Sequence, residues 1–134
     1  MTELRLHPRI ATSLMAEITN SAGVTLAAKI HDLSPGGLML DGEAELKTFV
    51  FEGHDPDKDP LFHPIELEIR IQLPNQQRFF SQMRLLYIRR LSQSQYNLGF
   101  RYVALSSIHV HMMERYIFNG ESTEEALNRA FNSL

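Results

Sequence analysis

Asp32-Leu33-Ser34-Pro35-Gly36-Gly37 reads as a tight turn joining two strands. Pro35 presets φ for the second turn position, and a glycine in third place allows the positive φ of a type II turn, so Gly36 is expected to carry it. Gly37 then removes a side chain where another backbone or a flat ligand can come close. Val24-Thr25-Leu26-Ala27-Ala28-Lys29-Ile30 lies on one side and Leu38-Met39-Leu40 on the other, and both have strand composition. Asp32 and Ser34 therefore stand at the mouth of a hairpin beside bare backbone. Two polar side chains against a glycine make a cradle for a planar ring with donors on its edge.

The same alternation continues through the chain. Leu14, Ala16 and Ile18 mark a half-buried strand within 12–19, closed by the turn cluster Asn20-Ser21-Ala22-Gly23. Ile65 to Leu73 alternates without a break, Pro74-Asn75 turns it, and a long strand runs within Arg78 to Arg90. Leu91 to Gln95 is a polar turn and Tyr96 to Val103 completes the set. Strands in this succession predict a mainly β fold, a six-stranded antiparallel barrel that leaves no open edges. The acidic, proline-bearing stretch 42–64 is expected as a long exposed loop, with Leu46, Phe49, Val50 and Phe51 either in a short strand or packed back on the core.

At the tail the period changes. Ile108, Met112, Met113, Tyr116 and Ile117 fall at helical spacing after the N-cap candidates Ser106 and Ser107, and Asn119-Gly120 ends the helix. Ser122-Thr123-Glu124-Glu125 reads as a capping box for a last short helix, whose apolar stripe is Leu127, Ala130, Phe131 and Leu134. That stripe covers either its own barrel or a partner's helix, which makes a homodimer one expectation. At the other end Pro8 argues against a helix through Arg5 and Arg9, so residues 1–12 are expected as an irregular arm carrying two cations. The expected organisation is an arm at 1–12, a barrel with its closing helix at 13–120, and C-terminal α-helix at 121–134.

The chain has 134 residues, enough for one core without staples, and no cysteine for disulfide or thiolate chemistry. No apolar run reaches a membrane span and no apolar leader opens the chain, which leads us to expect a cytoplasmic protein. A net charge of -3 does not match DNA or RNA. Its distribution is uneven. Residues 41–68 are crowded with carboxylates, whereas 69–118 hold Arg70, Arg78, Arg84, Arg89, Arg90, Arg101 and Arg115 against Glu114. This predicts acidic and basic sides to the barrel, or a basic surface that attracts a small anion.

Catalytic motifs are missing: no Gly-x-Ser-x-Gly, P-loop or His-Glu-x-x-His occurs, so no enzymatic activity is expected. His109 and His111, two apart near a helix start, diverge around it, and the other histidines lack ligand spacing. Asp55-x-Asp57-x-Asp59 begins like a calcium loop, but Pro60 stands where glycine is required. Neither metal nor cofactor is expected. Tyr87, an aromatic in a barrel strand, is read first as core, and second as a ring face for a base.

Two motifs together carry a resemblance. Arg5-Leu6-His7-Pro8-Arg9 fits Arg-x-x-x-Arg, and Asp32 to Gly37 fits Asp/Asn-x-Ser-x-x-Gly. In this order, before an all-β pattern and a closing helix, they resemble the PilZ domain family over roughly residues 3–118. The resemblance implies a PilZ-type barrel and a receptor for the bacterial second messenger cyclic di-GMP, with Arg5, Arg9, Asp32, Ser34 and Gly37 as ligand-binding residues. Their chemistry suits those roles: arginine pairs with phosphate or guanine O6 and N7 and stacks on bases, a carboxylate accepts from guanine N1 and N2, and glycine lets a purine lie against backbone. Leu4 and Leu6 flank Arg5, where many members carry further arginines. The implied mechanism is closure of the arm over the hairpin mouth, with the new surface engaging or releasing an effector protein. The alternative is a protein interaction module of the same fold that keeps the motifs as structure and binds no nucleotide.

Overall fold

The computed structural model describes residues 10–12, 14–55, 57, 63–73 and 76–119. The element order is β1 (Ile10–Ala11), β2 (Met15–Thr19), β3 (Thr25–Leu33), β4 (Gly37–Gly42), α1 (Ala44–Phe51), β5 (Glu66–Gln72), β6 (Arg78–Arg90), β7 (Tyr96–Val103) and α2 (Ser107–Asn119). All pairings are antiparallel. They run β3-β2-β5-β6-β7-β4, and β4 returns to β3, so these six strands close a barrel. The two-residue β1 pairs with β3 beyond the end of β2.

Alternation sets which side chains enter the barrel. In β5, Leu67, Ile69 and Ile71 point in while Glu66, Glu68, Arg70 and Gln72 face out. Ile18, Ile30, Leu33, Leu38, Leu40, Phe79 and Leu98 are each 0% exposed. Burying side chains of this size stabilises the fold by about 1.5–3 kcal/mol each. Strict alternation would put Asp32 on the same face as Ile30. A bulge at His31 prevents this: Ile30 pairs with Leu40 but Asp32 with Met39. Ile30 and Leu33 are both buried as a result, and Asp32 turns outward. A second bulge at Leu86 in β6 separates Leu85↔Phe100 from Tyr87↔Gly99.

One sequence expectation is corrected. The stretch 42–64 is not a loop throughout: Ala44–Phe51 is the helix α1, with Leu46, Phe49 and Val50 buried and Phe51 outside. Those three lie at helical spacing and pack back on the core, as one of the two expectations had it. Asn20 fastens the helix end. Its Nδ2 donates to Phe49 O (3.0 Å) and Glu52 Oε2 (3.3 Å), and its Oδ1 accepts from the N–H groups of Ala22 and Val24 (3.0 Å each).

The tail helix follows its sequence signals. Ser106 caps α2 by accepting from His109 N–H (3.4 Å). Met113 and Ile117 are buried, and Phe79 meets His109 edge-on at 5.6 Å and Tyr102 at 5.1 Å, so α2 packs over one end of the barrel. Among the described residues no helix is long and apolar enough to cross a membrane. The expected last helix, 121–134, and the arm residues 1–9 lie outside the described residues, while 10 and 11 form β1 rather than irregular chain.

Candidate functional site

The turn at residues 34–37 is built differently from the expected type II turn, because Gly36 does not have positive φ. Ser34 N–H donates to Gly37 O at 2.8 Å. The Ser34 hydroxyl also donates to Gly37 O (3.2 Å) and accepts from Gly37 N–H (3.3 Å). The serine thus clamps both ends of the turn, and at 8% exposure it is nearly covered. Gly36 O accepts from Tyr102 N–H (3.0 Å), tying the tip to β7.

Gly37 is required by close backbone approach. A Cβ there would lie 2.1 Å from Phe100 O and 3.0 Å from the Arg101 Cα. Of the two uses foreseen for this glycine, proximity to another backbone is the one the fold itself makes.

Strand register arranges the outer face around these residues. Asp32 pairs with Met39, Met39 with Gly99, and Gly99 with Tyr87, which forms one row across β3, β4, β7 and β6. The row beside it runs Gly37, Arg101, Arg84 and Glu66. On the other flank Asp41 pairs with Asn97 and Asn97 with Arg89, and the bulge residue His31 meets Asp41 at 2.9 Å between Nδ1 and Oδ2. Tyr87 is on this outer face, not in the core. Its ring lies where a Gly99 side chain would be, 2.2 Å from the position of a Cβ, and the Arg89 guanidinium is 5.8 Å from the ring centre.

Asp32, Ser34 and Gly37 are therefore brought together at one end of this face. Arg5 and Arg9 fall outside the described residues. The chain emerges from that arm at Ile10, opposite Leu33, with Ala11 opposite Asp32. Arg101, Gly99 and Met39 join the same face, and none was singled out from the sequence as part of it. Alternation marks them as outward only after the strand pairing is known. Arg84 faces outward too, and Glu66 engages it at 3.0 Å. Among the described residues no cluster of three or more His, Asp or Glu side chains could hold a metal ion. The arrangement is a shallow mixed surface with an aromatic ring, exposed arginine and a carboxylate, suited to a flat polar anion.

Comparison with known proteins agrees with this architecture. The family model described as PilZ domain matches residues 3–119. No curated protein matches the chain. Among solved structures, the PilZ domain of YcgR from Escherichia coli with c-di-GMP superposes with a TM-score of 0.62 at 19% identity, covering 96% of this chain and 98% of that one. The Bacillus subtilis inhibitor of motility MotI/DgrA gives 0.65 at 12% identity, over 88% of this chain and 51% of that one. The K. pneumonia MrkH–c-di-GMP complex gives 0.62 at 16% identity, over 88% and 52%. The chain thus spans about half the length of MotI/DgrA and MrkH. With a family model matched over nearly its whole length and the same barrel, the chain belongs to the PilZ domain family.

Proposed function

We propose that this protein is a receptor for cyclic di-GMP, acting in the bacterial cytoplasm, that changes the surface it offers to an effector protein when the nucleotide binds. The observation that carries this reading is the row Asp32, Met39, Gly99 and Tyr87, with the arm sequence joining the barrel next to it at Ile10 and Ala11. Asp32 accepts from a guanine edge, the Tyr87 ring offers a face to a base, and Arg5, Arg9 and Arg101 supply positive charge for the phosphates. The Ser34 hydroxyl holds the turn that presents Asp32, and Gly37 keeps the surface low there. Binding draws the arm sequence across the face, and the surface formed in that way is the signal. Relatives of the same fold whose structures contain c-di-GMP support the choice of ligand.

A second reading has its own observation. The Ser34 hydroxyl and Gly37 are both accounted for by the turn and by the β4–β7 contact without any ligand. A barrel that keeps these residues as structure and serves as an interaction module is the alternative. Calorimetric titration with cyclic di-GMP separates the two, using the parent, Arg9→Ala and Asp32→Ala. Arg9→Ala and Asp32→Ala are expected to remain folded, with one cooperative melting transition, and to weaken binding at least tenfold, about 1.4 kcal/mol. Absence of binding heat and of any melting shift in the parent at high nucleotide rejects the receptor reading.

A further inference from the structure

Strand β6 outruns its neighbour. Its pairing with β5 ends at Glu66↔Arg84, with one more bond from Leu85 N–H to Ile65 O at 2.9 Å. The preceding residue is Pro64, which has no N–H to extend the ladder. β6 nevertheless continues to Arg90, held by β7 through Tyr87↔Gly99, Ile88↔Leu98, Arg89↔Asn97 and Arg90↔Tyr96. Among the described residues no strand pairs with Leu86–Arg90 on the side that β5 leaves. Backbone groups alternate in direction along a strand, so part of this segment's N–H and C=O groups face that side. The bulge residue Leu86 is 57% exposed and Leu91, just past the strand end, 56%. A long edge with exposed apolar side chains invites pairing.

Charge limits what can pair there. Between Glu68 and Glu114 the sequence contains no Asp or Glu, yet it holds Arg70, Arg78, Arg84, Arg89, Arg90 and Arg101. Glu17 engages Arg70 and Glu66 engages Arg84. Arg89 and Arg90 have no carboxylate partner among the described residues; Arg89 lies by the Tyr87 ring, and Arg90 donates to Ser92 O and Gln93 O. We propose that Leu86–Arg90 is a docking edge for an extended acidic segment of a partner protein, which adds as a strand beside β6. Main-chain bonds supply the fit, Arg89 and Arg90 select carboxylates, and Leu86 takes an apolar side chain from the incoming strand. A second copy of this chain suits the edge poorly, since symmetric β6–β6 pairing brings these arginines against their own counterparts.

The test is run without nucleotide, so it does not depend on the receptor reading. Two peptides of about ten residues, long enough to span the edge, alternate Val with Asp or Val with Lys. Each is titrated into isotope-labelled full-length protein and followed by amide NMR shifts and hydrogen exchange. The Val-Asp peptide is expected to shift the 86–90 amides and slow their exchange by about tenfold or more, and the Val-Lys peptide to do neither. An Arg89→Glu variant is expected to weaken the acidic peptide and admit the basic one. A Val-Asp peptide N-methylated at alternate residues, unable to complete the ladder, is expected to lose binding. The proposal is overturned if the acidic peptide leaves 86–90 unshifted or if the N-methylated peptide binds as well. It also fails if those amides shift with protein concentration alone, which would identify a second copy as the occupant.

Discussion

Ser34, Gly36 and Gly37 divide the labour of one turn in a way that can be measured residue by residue. At Gly37 the obstacle to a side chain is backbone, Phe100 O, which cannot swing aside. Gly37→Ala is therefore expected to destabilise the protein by roughly 1–3 kcal/mol in urea denaturation. Gly36 has open space where a Cβ would stand and no positive φ. Gly36→Ala is expected to change stability by less than about 0.5 kcal/mol in the same assay, which a type II turn would not permit. Gly99 is a third case, because its neighbour is the half-exposed Tyr87 ring, free to move. Gly99→Ala displaces that ring at low cost in melting temperature, and in the receptor reading it lowers nucleotide affinity severalfold, as titration will record.

Helix α1 and strand β3 show how an element takes a form that its own residues only partly specify. α1 has eight residues, Glu43 at its N-cap makes no side-chain cap bond, and no basic residue lies in its last turn. Isolated helices this short do not hold in water. Packing of Leu46, Phe49 and Val50, and the two hydrogen bonds that Asn20 donates to Phe49 O and Glu52 Oε2, hold this one. Asn20→Ala is expected to cost about 2–4 kcal/mol by denaturation, since it strips a partner from the buried Phe49 O at the helix end and from two part-buried N–H groups in the β2–β3 turn. Asn20→Asp keeps the acceptor bonds but sets a carboxylate oxygen against Phe49 O and Glu52 Oε2, so at neutral pH it is expected to cost at least as much as Asn20→Ala. In β3 the bulge at His31 decides that Asp32 faces solvent.

The whole molecule is a closed ring of strands with α2 against one end, so stability is shared between parts distant in sequence. Met113 on the inner side of α2 is 0% exposed, and Phe79 in β6 meets both Tyr102 in β7 and His109 in α2. Met113→Ala is expected to cost about 2–5 kcal/mol. The loss should appear as one transition in far-ultraviolet and near-ultraviolet circular dichroism alike, because barrel and helix share a core. Uncoupled transitions would show that α2 is an appendage.

Much of this architecture is written locally. Unbroken alternation in Ile65–Leu73, turn residues at Asn20–Gly23 and the Ser106 cap with its helical apolar spacing are short-range signals, and each element forms where they stand. The turn residues Pro35, Gly36 and Gly37 between two strand-like stretches likewise placed Asp32 and Ser34 at one hairpin mouth before any strand was paired. Closure of the barrel decided the rest. The inward-facing residues of neighbouring strands must stay in register around the ring, and bulges at His31 and Leu86 shift that register within β3 and β6. Only that closure brings Tyr87 and Arg101 onto the face of Asp32, and only tertiary packing turns an acidic, unpromising stretch into α1. A side chain's direction along a strand is local chemistry, whereas its neighbours across the sheet depend on every strand in the ring.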